Sequence, residues 1–110
     1  MKIILGLVFV FSSSLVAAAE CNRPAAPTLP DGDTAELQAM VDGQKAVKAY
    51  VTATEAYLDC LNSKSAEAGA EADPDAELAR IEEHNAAVDE MEKIAGEFND
   101  EIREYKAKAK

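Results

Sequence analysis

From Asp33 to about residue 63 the chain has no proline. Its apolar or tolerated positions recur there at alternating spacings of three and four: Leu37, Met40, Gln44, Val47, Val51, Thr54, Leu58 and Leu61. That is the seam of a helix packed against another helix. Asp33-Thr34-Ala35-Glu36 reads as a capping box, with turn chemistry at Pro30-Asp31-Gly32 before it. A second helix starts at Asp73-Pro74, a cap followed by proline in the first turn. Its seam runs through Leu78, Ile81, His84/Asn85, Val88, Met91, Ala95, Phe98, Ile102 and Tyr105. Lys106, Lys108 and Lys110 close it, where the helix dipole favours cations. The pattern predicts helix 1 over about 33–63, a small-residue linker with Gly69 over 64–72, and helix 2 over about 73–108.

The two seams test each other. Folding back near Gly69 sets Leu61 opposite Leu78, Leu58 opposite Ile81, Val51 opposite Val88 and Leu37 opposite Ile102. Polar Thr54 falls opposite polar Asn85, a layer suited to fixing register, with His84 beside it. The expected fold is all-α: an antiparallel, coiled-coil-like two-helix hairpin with arms of about 30 residues, or about 45 Å. Hairpins of this size often complete their core by pairing into four-helix bundles. Ile94, off the seam, and Val41, beside it, offer apolar surface for a homodimer.

Ahead of the hairpin lie two segments of different character. Residues 1–19 carry one charge, Lys2, then the apolar run Ile3 to Phe11 and the small residues Ala17-Ala18-Ala19. This is the pattern of a secretory signal peptide cut after Ala19. The alternatives are an uncleaved anchor, for which the apolar stretch falls short of about 20 residues, and a lipoprotein, which Glu20 before Cys21 disfavours. Export to the periplasm is the expectation, with no stable membrane insertion once the leader is removed.

Cys21 and Cys60 are the two cysteines. In an exported chain an even pair is most simply one disulfide; the competing reading is a reactive or intermolecular pair, without Cys-x-x-Cys spacing to support redox catalysis. Between Cys21 and the hairpin, over 20–32, Pro24, Pro27 and Pro30 recur every three residues, the polyproline II repeat. Extended at about 3.1 Å per residue, 21–33 spans about 37 Å. Residues 33–60 as α-helix span about 40 Å. The match predicts a proline strap running antiparallel along helix 1, tied by the disulfide. Its expected bed is the small-residue face Ala39, Gly43, Ala46 and Ala53, flanked by Tyr50 and Tyr57. The alternative is an unstructured proline-rich N-terminus.

Several of these segments together resemble a family of small exported α-helical proteins of Gram-negative bacteria with no assigned activity. The residues that carry the resemblance are Cys21-Asn22-Arg23-Pro24, Pro27, Pro30-Asp31-Gly32, Val47-Lys48-Ala49-Tyr50-Val51, Tyr57-Leu58-Asp59-Cys60-Leu61, His84 to Met91 and Phe98 to Arg103. The resemblance implies export and a helical fold, and it brings no catalytic residue with it.

Composition narrows the function. Residues 20–110 hold all 21 acidic residues and 10 of the 11 basic ones, a net −11 that disfavours nucleic acid. His84, the one histidine, is a weak metal candidate: adjacent Glu83 and Glu82 two residues away do not share its helix face. The acids of 67–77 read as a solvated tip rather than a calcium loop. No nucleophile–base pair or phosphate loop is evident, so no enzyme activity and no cofactor are expected. The leading expectation is a non-enzymatic exported interaction or structural protein with an unidentified protein partner. A periplasmic small-ligand or metal-binding protein, or a hairpin-type holdase, is the alternative.

Overall fold

A computed structural model describes residues 21–71 and 73–108; the leader expected over 1–19 lies outside them. Helix α1 is Leu37–Ala68 and helix α2 is Pro74–Lys108, joined through a 3₁₀ turn at Gly69–Glu71. The helices pack against each other, and the described residues contain no strand. The architecture is the all-α hairpin, and the disulfide between Cys21 and Cys60, with Cα atoms 5.7 Å apart, ties the N-terminal segment to α1.

Both bounds of α1 differ from the expectation of 33–63. The helix starts later because Asp31 captures the backbone ahead of it. The Asp31 carboxylate accepts the Asp33 N–H at 3.0 Å, and its carbonyl accepts the N–H groups of Thr34 at 3.2 Å and Ala35 at 2.7 Å. Asp33 therefore sits inside a turn and caps nothing. Extended Glu36 (φ −83°, ψ 165°) takes the N-cap place without a side-chain bond. The helix ends later because Ser63 to Ala68 holds good helix formers and no breaker. Gly69, at φ 53°, is the first residue to leave the helical region. The start of α2 follows the expected chemistry. Pro74 opens the helix, Asp73 Oδ1 accepts the Asp75 N–H at 3.1 Å, and Asp73 O accepts the Glu77 N–H at 2.9 Å.

The buried row of α1 is Met40, Gly43, Val47, Tyr50, Thr54, Tyr57 and Leu61. It shares positions 40, 47, 54 and 61 with the predicted seam. Its second half is Gly43, Tyr50 and Tyr57 instead of Gln44, Val51 and Leu58. On α2 the buried residues are Ala87, Ile94 and Phe98, while Leu78 and Ile81 stay 54% and 48% exposed. Each helix is thus rolled toward one side of the hairpin. Two clusters form the core. Met40, Val47, Tyr50, Ile94 and Phe98 make one, with Leu29 and Ala35 packed on it; Tyr57, Leu61 and Ala87 make the other, with Cys21 packed on it. The expectation that Ile94 is free for a partner is corrected: it is 9% exposed, inside the core. The polar layer is corrected too, since Thr54 is 1% exposed while Asn85 faces solvent.

Candidate functional site: two unlike grooves

A two-helix hairpin has two long grooves, one on each side of its helix–helix contact. Here the chain treats them differently. The first is filled by residues 21–35. Cys21, Pro24, Pro27 and Pro30 are all half-buried, while Ala25, Ala26 and Thr28 are exposed, the three-residue rhythm of an extended proline segment. Pro30 rests on Gly43, where an added Cβ would lie 2.8 Å from the ring Cδ. A Cβ on Gly32 would overlap the Glu101 carbonyl of α2.

The strap's polar anchors are on α2, not on α1. The Arg23 guanidinium donates to Ala86 O at 3.2 Å and pairs with Glu90. Gly32 N–H donates to Glu101 Oε2 at 2.6 Å, and Lys108 Nζ donates to Ala35 O at 2.7 Å. The strap therefore lies between the helices. This corrects the expected bed: Gly43, Tyr50 and Tyr57 are buried and Ala46 half-buried, but Ala39 and Ala53 are exposed. A single helix offers an extended backbone one wall, whereas the cleft between two helices offers two and buries more apolar surface. Tyr57 donates its hydroxyl to Glu83 Oε2 at 3.3 Å; burial, and next the Glu83 charge, push its pKa above the ordinary 10.0.

The second groove has no strap. At the end near the chain termini, Leu37, Met40, Val41, Gln44, Phe98, Ile102, Tyr105 and Lys106 line an apolar pocket of about 290 Å³. Leu37 is 63% exposed there. Toward the tip the same side carries exposed Ile81. Around Ile81 a smaller, polar cleft of about 240 Å³ is lined by Ser65, Glu77, Arg80, His84 and Asn85 among others. Arg80 donates to Ser65 Oγ at 3.1 Å and to Glu77 Oε2 at 2.6 Å, and that hydrogen bond holds the Glu77 carboxyl below its usual range. The groove can receive an apolar surface.

His84 is half-buried and belongs to no three-membered group of metal-capable side chains among the described residues. Asp31, Glu101 and Glu104 do form one, with carboxylate oxygens within 4.8 Å of one another. Sequence reasoning missed this grouping because its members come from the strap turn and the last turns of α2. Glu101 also accepts the Gly32 N–H through Oε2. A hydrogen bond to Glu101, and next the Glu101 charge, hold Glu104 above the usual carboxylate range. No helix among the described residues is long and apolar enough to cross a membrane. Comparison of the chain with family models, curated proteins and solved structures finds no match.

Proposed function

We propose that this chain is a non-enzymatic interaction module, exported to the periplasm, that docks a protein surface in its unstrapped groove. One observation carries the reading. The hairpin closes one groove with its own chain and leaves the other uncovered, with exposed Leu37 at an apolar pocket and exposed Ile81 at a second cleft. An apolar patch left uncovered and rimmed by polar residues marks an interaction site. Export is supported by the leader pattern of residues 1–19, by the disulfide, which belongs to oxidising compartments, and by the resemblance to small exported helical proteins.

A photo-reactive side chain placed at Ile81 in cells tests docking. Cross-linked species of higher mass are expected, and only monomer at Ile81 and at Leu37 removes the reading. Fractionation tests export: the chain is expected outside the cytoplasm, and deletion of residues 1–19 should retain it inside. A holdase would use the same uncovered groove. Suppressed aggregation of an unfolded client, lost in Ile81→Asp, would favour that second reading.

A further inference from the structure

We infer that the unstrapped groove is covered by a second copy of this chain, packed antiparallel about a two-fold axis at the level of Val51 and Val88. The inference rests on the reading of that groove as the docking surface, and it names the occupant. The register of the hairpin places the axis. Tyr57 bonds Glu83 and Gly43 abuts Phe98, so Val51 and Val88 lie level with each other near the middle of the two arms. Both are half-buried and lie on the unstrapped side. A half-turn about that level lays α1 over α1 and α2 over α2, each antiparallel.

Under that operation the features of the groove find complements. Exposed Ile81, seven residues before Val88, meets small Ala95, seven after it. On α1, Lys48 and Glu55 flank Val51 in the row that contains Val41. Both are exposed, and neither has an ion-pair partner among the described residues. The half-turn sets Lys48 of each copy against Glu55 of the other, making two symmetric pairs. A patch that complements itself in this way is the requirement of an isologous dimer. The area suffices: a face about 45 Å long and about 20 Å wide offers about 900 Å², against about 800 Å² per partner in a stable complex.

Sedimentation analysis of the full chain is expected to give a species of two chains. Lys48→Glu should weaken its association by about tenfold or more, and adding Glu55→Lys to the same chain should restore it, since the double swap rebuilds both pairs with reversed sign. Helicity and melting temperature report that these exposed substitutions leave the hairpin folded. A chain that stays monomeric, or a dimer indifferent to Lys48→Glu, would overturn the inference. A second probe is independent of the charges: Val51→Cys should cross-link copy to copy on oxidation, whereas Ala49→Cys, away from the groove, should not. The reverse result would also overturn it. The photo-probe at Ile81 separates this inference from the reading beneath it. An adduct of two identical chains supports both; an adduct with a different protein keeps the docking groove and overturns the dimer; no adduct at either Ile81 or Leu37 overturns both.

Discussion

Pro30 and Gly43 touch so closely that a Cβ at Gly43 would lie 2.8 Å from Pro30 Cδ, and 3.1 Å from Phe98 Cε2. Strap, α1 and α2 meet at this one point. Gly43→Ala would gain about 1 kcal/mol of helix propensity but force the proline ring or the phenylalanine aside, an overpacking cost of about 1–3 kcal/mol. A net loss is expected in urea unfolding. Gly96→Ala is the control: nothing lies within 4 Å of its Cβ position, so it should raise stability by up to about 1 kcal/mol.

The Cys21–Cys60 bond closes a loop with a sequence separation of 39. Its loss is expected to cost about 4 kcal/mol, which in a domain of this size lowers the melting temperature by about 15 °C or more. Cys60→Ser or a reductant should show it in a thermal melt, together with faster amide exchange at Gly32 as the strap loosens.

The observed core predicts a different mutational profile from the predicted seam. Phe98→Ala should cost about 3–5 kcal/mol, and Ile94→Asp should unfold the chain by burying an unpaired charge. Leu78→Ala and Leu37→Ala, at exposed positions, should leave the helicity of the hairpin intact. Circular dichroism melts of the four variants decide between the two arrangements.

Thr54 is 1% exposed and its hydroxyl has no hydrogen-bond partner among the described residues. An unsatisfied buried hydroxyl costs about 1–3 kcal/mol. Thr54→Val keeps the branched shape and removes the hydroxyl, so chemical denaturation should show a gain of about 1 kcal/mol. A loss would mean that the threonine bonds locally to the helix backbone.

Two groups predict pH dependence. The pKa of Tyr57 is raised in the fold, so its contribution is whole below the ordinary 10.0 and drains away as pH climbs through the higher folded value. Tyr57→Phe should flatten the alkaline limb of a stability–pH curve. Glu104 is also raised, mainly through its hydrogen bond to Glu101. Stability tied to its protonated form is whole below the ordinary 4.5 and drains away as pH rises through the higher folded value. Glu104→Gln should therefore stabilise the protein at neutral pH, with the gain vanishing in acid.

Much of the fold was legible from spacing and capping. Asp73-Pro74 started α2 where cap chemistry placed it, and the row through Met40, Val47, Thr54 and Leu61 is buried as its period required. Which neighbouring row joins it was not legible. Gly43, Tyr50 and Tyr57 compete with Gln44, Val51 and Leu58 for the interior, and the choice depends on a strap that fills the cleft on the tyrosine side. Periodicity counts apolar residues on one helix and is blind to a third segment. The Asp33 cap failed for a related reason: Asp31, two residues earlier, offers the same side-chain chemistry and holds the turn first. The anchors Arg23–Glu90 and Gly32–Glu101 join residues 67 and 69 apart in sequence, a separation that no local pattern encodes. The unstrapped groove was visible only in disguise, as the half of the predicted seam that the fold leaves outside.

The strap has a consequence for the order of assembly. Its bed has two walls, and the second is built from Ala86, Glu90 and Glu101. During synthesis residues 21–32 leave the ribosome before either helix, yet the cleft that receives them exists only after residue 101 has emerged. Oxidation with Cys60 can tether the segment early to the far end of α1, but the tether alone supplies one wall. Burial of the prolines waits for the C-terminal helix to fold back. A segment made before either helix is the last to find its place.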